Sequence, residues 1–269
     1  MFSQTLHLFM IIQEKEAGSQ VDKQRLKVEA EQICSFINME LKTYIYDSEN
    51  ETFMQAFQSL SVGNDDVIWY YYSGHGRNSG NGWPSFSNET FSFVLSDIHE
   101  SLIKKNARLT ISMYDCCNYG QTTQPWTATQ QNEQAVSAKN LQLAYYLLFK
   151  NTKGNIMLCS ADEAKLSYGN TALGGFFTHS FIENIRTLVI ENQEIIWVNL
   201  LQKTKAYTNT MCENYAQTSQ NPKFYTKIVT EKFEGDITEI LAEPIILINR
   251  DFDNTTNKLQ NLYNNLISE

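Results

Sequence analysis

Basic residues are scarce in this 269-residue chain. Lys and Arg number 21 against 30 Asp and Glu, which gives a formal net charge of −9. Phosphate binding needs clustered Lys and Arg, so the acidic balance argues against a nucleic-acid-binding protein and suits basic peptides as partners. Charged residues make up only 19% of the chain and hydrophobic residues 42%, which is typical of a globular and not a disordered protein.

The sequence also lacks the signals of secretion and of membrane insertion. No apolar run approaches the ~20 residues that a membrane-spanning helix needs. The N-terminal stretch Met1–Ile12 has neither a basic region nor a small-residue cleavage site, so it is interpreted as a strand. The 5 cysteines are odd in number and follow no disulfide framework. Together these absences predict a cytoplasmic protein with free thiols and no contact with a membrane.

Apolar runs with the character of strands alternate with segments of helical periodicity. Thr5–Ile12, Asp66–Tyr72 and Leu109–Tyr114 are continuous apolar runs, which suit strands that are buried on both faces of a parallel sheet. Val21–Leu41 and Gly175–Leu188 have the spacing of apolar residues that is typical of helices. The alternation predicts an α/β fold with a mainly parallel central sheet of about six strands, flanked by helices.

No linker clearly divides the chain, although its composition drifts after about Lys227. We therefore predict one main domain over residues 1–227 and a small C-terminal extension over residues 228–269. The extension is expected to contain a strand at Pro244–Asn249 and a final amphipathic helix, and to pack on the same domain.

Two short motifs each end a strand-like run and present one reactive side chain. Tyr-Ser-Gly-His-Gly presents His75, and Asp-Cys-Cys-Asn presents Cys117. Sites in parallel sheets lie beyond the carboxyl ends of the strands, where both motifs fall. A free thiol with a pKa of about 8.5 is mostly protonated at neutral pH, so His75 would act as the base that activates Cys117. The backbone N–H groups of Gly76 and Cys117 would hold the oxyanion.

These motifs resemble the histidine and cysteine motifs of the caspase-like cysteine peptidases, in particular the metacaspase-like branch with its prokaryotic relatives. Two later segments, Cys159–Glu163 with Gly174–Thr178 and then Gln220–Phe224, extend the resemblance over most of the chain. The resemblance implies a caspase-like fold and a His/Cys dyad that hydrolyses peptide bonds without a cofactor. It assigns the nucleophile to Cys117, the third position of the Asp-x-Cys motif, and leaves Cys116 to the strand packing.

The resemblance also implies a pocket for a basic side chain before the scissile bond. The first motif position corresponds to Asp115, Ser73 matches another pocket residue, and Asp162 would supply a second carboxylate. An ionised carboxylate in a narrow pocket selects Arg or Lys. Asp115 has a structural alternative as a hydrogen-bonded carboxylate at a strand end. The family's early Asn-Asp motif has no evident counterpart, and Asp22 is a poor candidate for it.

The segment Asn118–Ala138 contains no Lys and no Arg. An enzyme specific for basic residues could not cut itself there, so we expect activity as an intact chain that is switched by a ligand or a partner protein. The acidic cluster that binds calcium in many metacaspases is missing, and no metal is expected. A site in which His75, Cys116 and Cys117 bind one ion is disfavoured, because adjacent residues of a strand point to opposite faces.

Two further hypotheses concern the role of the domain. One is a peptidase effector of a bacterial defence or cell-death pathway, which stays silent until a signal arrives. The alternative to an enzyme is a catalytically silent caspase-fold module that binds a partner or regulates a related peptidase. The presence of both His75 and Cys117 argues for the peptidase.

Overall fold

A six-stranded sheet with helices on both sides forms the centre of the protein. The computed structural model describes residues 4–48, 50, 52–87, 92–118, 137–191 and 193–230. The sheet and its flanking helices confirm the predicted α/β fold. The predicted strand at Pro244–Asn249, the final helix and nearly all of the C-terminal extension lie outside the described residues.

Strands and helices follow one another in nearly the order that the sequence predicts. The described strands are β1 (Thr5–Ile12), β2 (Glu40–Asp47), β3 (Val67–Ser73), β4 (Arg77–Asn78), β5 (Pro84–Ser87), β6 (Ser92–Val94), β7 (Leu109–Asp115), β8 (Thr152–Cys159), β9 (Gly169–Asn170), β10 (Gly174–Gly175) and β11 (Lys223–Thr230). The described helices are α1 (Ala17–Ile37), α2 (Thr52–Ser59), α3 (Leu95–Ile103), α4 (Ala138–Tyr145), α5 (Phe176–Ile190) and α6 (Trp197–Ala216). A π-helical turn at Tyr146–Lys150 continues α4.

The central sheet has the strand order β11-β8-β7-β3-β1-β2. Its strands pair in parallel, except that β11 runs antiparallel to β8. From β1 the chain adds β2 on one side and β3, β7 and β8 on the other, so the direction of strand addition reverses between β1 and β3. A crevice beyond the carboxyl ends of the strands is expected at such a reversal, and this is where the residues that follow β1 and β3 lie.

Both faces of the sheet are buried, because side chains alternate between the faces along each strand. Leu8 and Trp69 belong to a core cluster with residues of α1, α4 and α5. Their neighbours Phe9 and Tyr70 belong to a second cluster with residues of α2 and α3 on the opposite face. This two-sided burial explains why the central strands appear in the sequence as continuous apolar runs.

A buried ion pair ties together three helices on one side of the sheet. Arg186 on α5 donates a hydrogen bond of 2.9 Å to Glu29 on α1. The Tyr145 hydroxyl at the end of α4 donates one of 2.6 Å to the other oxygen of the same carboxylate. Glu29 is only 1% exposed, and removal of one partner of such a pair leaves an uncompensated buried charge. The network fixes α1 against α5, and both helices begin at the edge of the sheet where the candidate site lies.

The sequence analysis missed the small sheet β4-β5-β6, which follows His75 directly. Its strands are two to four residues long and rich in Ser and Asn, so they carry almost no period-two signal. At the other end of the chain, β11 crosses the predicted domain boundary at residue 227 and ends at Thr230. None of the described helices combines the length and the apolar character that a membrane span requires.

Candidate active site

The pairing register brings the two predicted motifs to the same row of the sheet. Ser73 at the end of β3 pairs with Asp115 at the end of β7. The Gly74 N–H then donates a hydrogen bond of 3.3 Å to the Asp115 carbonyl oxygen. His75 and Cys117 each lie two residues beyond this pair, just past the ends of two neighbouring strands that are about 4.8 Å apart. The register therefore carries the imidazole and the thiol to matching positions.

Two glycines let the backbone turn beside the cysteine. Gly74 has φ 155°, and a Cβ built on it would lie 2.7 Å from the Gln13 side chain. A Cβ on Gly76 would lie 2.3 Å from the Cys117 carbonyl oxygen. Distances this short exclude any side chain, so the histidine turn and the cysteine turn are in direct backbone contact.

One cavity of about 750 Å³ collects the candidate residues. Its lining includes His75 and Cys117 together with Ser73, Asp115 and Asp22. The His75 side chain is 54% exposed, whereas the thiol is partly buried. A thiol and an imidazole on the wall of one solvent-accessible cavity are the groups that acyl transfer through a cysteine requires.

The surroundings of Cys117 favour the protonated sulfur. Burial raises the pKa of the thiol above its usual range, and the nearby Asp115 charge adds to this effect. The backbone N–H of Ser167 opposes it by donating a hydrogen bond of 3.3 Å to the sulfur. Since the thiol form prevails in this environment, a base must take the proton when the sulfur attacks.

The neighbouring Cys116 has a different environment. It is 1% exposed and belongs to the core cluster under β3 and β7, which confirms the prediction that it packs in the core. All 5 cysteines are free thiols. Within the described part of the chain, no three His, Cys, Asp or Glu side chains are grouped so that they could hold a metal ion.

The Asp115 carboxylate is held at the N-terminus of α5. It accepts hydrogen bonds of 3.0 Å from the Thr178 N–H and 2.7 Å from the Thr178 hydroxyl. The Ser167 hydroxyl donates a third bond, of 2.8 Å. Burial raises the pKa of Asp115, while these bonds oppose the rise. The residue thus has the structural role that was considered as an alternative, and it also lines the cavity.

A second carboxylate, Asp22 on α1, lies in the same cavity. It accepts hydrogen bonds of 2.9 Å from the Ser73 hydroxyl and 2.8 Å from the Gly175 N–H. Burial, followed by the charge of Asp115, raises its pKa from 3.8 to about 7. The two carboxylates and the serine hydroxyl form an acidic recess in the cavity wall, and such a recess is suited to a cationic side chain.

The structure places the predicted second carboxylate outside the cavity lining. Asp162 does not line the cavity; its carboxylate accepts hydrogen bonds from the Asn221 side-chain amide, at 3.0 Å, and from the Glu163 N–H, at 2.8 Å. Asp22, which the sequence analysis did not include among the site residues, lines the cavity instead. One signal in the sequence pointed to Asp22: it lies four residues before Leu26 on the apolar stripe of α1, where an unpaired charge would be costly.

Comparison with known proteins bears on the family and the fold of the chain. Residues 10–234 match the family model of the caspase domain, peptidase C14. Among solved structures, the chain is similar to caspase-1 from Spodoptera frugiperda, with a TM-score of 0.53 and 11% sequence identity over 84% of this chain and 88% of that chain. At this identity the likeness concerns the fold alone. The search of curated proteins found no match.

The raised pKa of Asp22 makes a prediction about stability. Between pH 3.8 and about 7 the folded protein keeps a proton that the unfolded chain has lost, so this group makes the free energy of unfolding fall as the pH rises. Asp22→Asn removes the cost of ionising the buried carboxyl. The Tm difference between the variant and the wild type should therefore be more positive at about pH 8 than at about pH 5.

The exposed Asp65 provides the control, because Asp65→Asn removes the same charge at the surface. Thermal unfolding of both variants at the two pH values measures the effect. An equal Tm difference at both pH values for Asp22→Asn would contradict the assignment of a high pKa to this residue.

Proposed function

The chain belongs to the caspase-domain family of cysteine peptidases, and on this basis we propose that it is an endopeptidase that cuts after Arg or Lys. The observation that carries the proposal is that His75 and Cys117 line the same cavity as the carboxylates of Asp22 and Asp115. A nucleophile with its base and a receptor for a cationic side chain are therefore available to one bound peptide.

In the proposed reaction the Cys117 sulfur attacks the carbonyl carbon of the scissile bond while His75 takes the thiol proton. The backbone N–H groups of Gly76 and Cys117 stabilise the oxyanion, consistent with the contact between these two segments. Collapse of the tetrahedral intermediate passes the proton from His75 to the leaving amine and leaves an acyl-enzyme. Water, deprotonated by the same imidazole, then releases the acid product and the thiol.

Selectivity for a basic residue is assigned to Asp22, Asp115 and Ser73. The Ser73 hydroxyl also lies 2.9 Å from the hydroxyl of Ser19, which precedes Asp22 by about one turn of α1. A guanidinium or ammonium group that enters this recess meets carboxylates whose repulsion it relieves, whereas a neutral side chain leaves that repulsion in place. Asp162 is not included, because it faces Asn221 and not the cavity.

Regulation is proposed to act on the intact chain. Asn118–Ala138 offers no Lys or Arg for self-cleavage. Burial raises the pKa of the Cys117 thiol, so attack depends on transfer of the thiol proton to a base, and we propose that a ligand or a partner protein switches this step. We retain the cytoplasmic location and the role as a bacterial defence or cell-death effector as hypotheses. The silent regulatory module remains the alternative function.

Activity should depend on Cys117 and not on its neighbour. Cys117→Ala removes the nucleophile and is expected to lower kcat/KM for fluorogenic Arg- or Lys-ending peptides by at least about a thousandfold. Cys116→Ala removes a buried thiol that takes no part in the proposed reaction, so kcat/KM should stay within about threefold. Steady-state kinetics of both variants measure these effects. Loss of activity in Cys116→Ala but not in Cys117→Ala would assign the nucleophile to Cys116 instead.

Preference for basic residues should depend on the acidic recess. Asp22→Asn is expected to lower the ratio of cleavage after Arg to cleavage after neutral residues by about tenfold, since one charged hydrogen-bond partner is lost. Asp162→Asn is the matched control and should leave the ratio within about twofold. Digestion of a peptide library, analysed for the residue before each cut, measures both. Unchanged selectivity in Asp22→Asn would discard the recess as the specificity site.

The active protein should be an uncut chain. Intact-mass spectrometry of enzyme recovered after turnover should find the full-length mass at unchanged activity, because residues 118–138 contain no basic residue. Titration of the same sample with an arginyl chloromethylketone shows whether the uncut species carries the reactive thiol. Labelling confined to a fragment cut between residues 118 and 138 would contradict the proposal.

A further inference from the structure

The loop between β1 and α1 holds the His75 turn at two points. The Gln13 side-chain oxygen accepts a hydrogen bond of 2.7 Å from the His75 backbone N–H. Three residues later, the Glu16 carboxylate lies 3.3 Å from Nε2 of the His75 ring. Glu16 is on the wall of the cavity that His75 and Cys117 also line. One loop therefore contacts both the backbone and the ring of the histidine.

The contact with His75 is not a by-product of helix capping. Glu16 is the N-cap residue of α1, but its side chain makes no capping hydrogen bond to the first turn of that helix. The other carboxylate of the loop, Glu14, faces away to Lys23 at 3.3 Å. Glu16 is thus the acidic side chain of this loop that reaches the imidazole.

We propose that Glu16 is a positioning residue for the histidine base. Its carboxylate accepts the Nε2–H of His75, which fixes the tautomer and leaves Nδ1 as the nitrogen that exchanges a proton with Cys117. The inference rests on the proposed function, since it assigns a role within the same reaction. A carboxylate that orients a catalytic imidazole and stabilises its charged form is a general arrangement in nucleophilic catalysis.

The proton balance of the step is simple. As the Cys117 sulfur bonds to the carbonyl carbon, its S–H bond breaks and an Nδ1–H bond forms on His75. The ring is then an imidazolium, whose Nε2–H remains on the Glu16 carboxylate. When the amine leaves, it takes the Nδ1 proton, and the neutral ring with its Nε2–H is restored. No proton moves to Glu16, and its carboxylate faces a positive charge only while the His75 ring is an imidazolium.

The exposure of the pair determines the size of the expected effect. The His75 and Glu16 side chains are 54% and 46% exposed, so water screens their interaction. Glu16→Gln keeps an acceptor for Nε2–H but removes the charge, and kcat for an Arg-ending peptide should fall about fivefold, equivalent to roughly 1 kcal/mol. KM should stay within about twofold, because the substrate does not need Glu16 to bind.

Two variants and the salt concentration separate positioning from a structural role. Glu16→Asp restores the charge and should recover part of the lost kcat, while Glu14→Gln removes a charge from the same loop and should leave kcat unchanged. In about 1 M salt, where screening acts over ~3 Å, the difference between wild type and Glu16→Gln should shrink. Equal kcat in wild type and Glu16→Gln, or equal losses in the two Gln variants, would overturn the inference.

A spectroscopic measurement tests the same role without turnover. In Cys117→Ala protein at about pH 8, where an ordinary imidazole is neutral, the ring nitrogen shifts of His75 should report the Nε2–H tautomer. Adding Glu16→Ala should shift the ring toward a mixture of tautomers. An inactive wild-type protein would overturn the proposed peptidase, and this ring signature would then decide the inference by itself: an unchanged tautomer in Glu16→Ala refutes it.

Discussion

The parallel pairing of β3 with β7 is the constraint on which the candidate site depends. It places Ser73 opposite Asp115, and His75 and Cys117 therefore each lie two residues beyond this pair. A slip of one residue would turn every side chain of one strand to the other face. That slip would cost the burial of aromatic residues on both faces of the sheet. Packing of the two cores therefore fixes the register, and the register fixes the chemistry.

The acidic recess is made from groups that also hold the fold together. The Asp115 carboxylate accepts a hydrogen bond from the first turn of α5. The Asp22 carboxylate accepts hydrogen bonds from the Ser73 hydroxyl and from the N–H of Gly175, the residue before this helix. The Glu29–Arg186 pair then locks α1 and α5 at a fixed spacing. Two carboxylates kept apart from water and close together are costly, and proteins accept such costs chiefly where a function needs them.

The sequence predicted the parts of the molecule that depend on local pattern and strand ends. The central strands followed from continuous apolar runs, and the positions of His75 and Cys117 followed from motifs that end two of those strands. The place of Asp22 on the apolar stripe of α1 marks it as a buried charge, but its approach to Ser73 depends on how α1 returns across the sheet, which the local pattern does not record. Asp162 was chosen for its place beside a motif, yet the turn after β8 directs it to Asn221. The contact between Glu16 and His75 likewise joins residues that are distant in the chain.

The shared burial of Asp22 and Asp115 has a consequence for how a ligand would enter. Burial and the Asp115 charge raise the pKa of Asp22 to about 7, so near neutral pH this carboxyl is present in both its protonated and its ionised form. A guanidinium or ammonium group that docks there would favour the ionised form and so promote release of the proton. Binding of a cation is therefore linked to proton release, and its affinity is expected to rise as the pH rises through the pKa of Asp22.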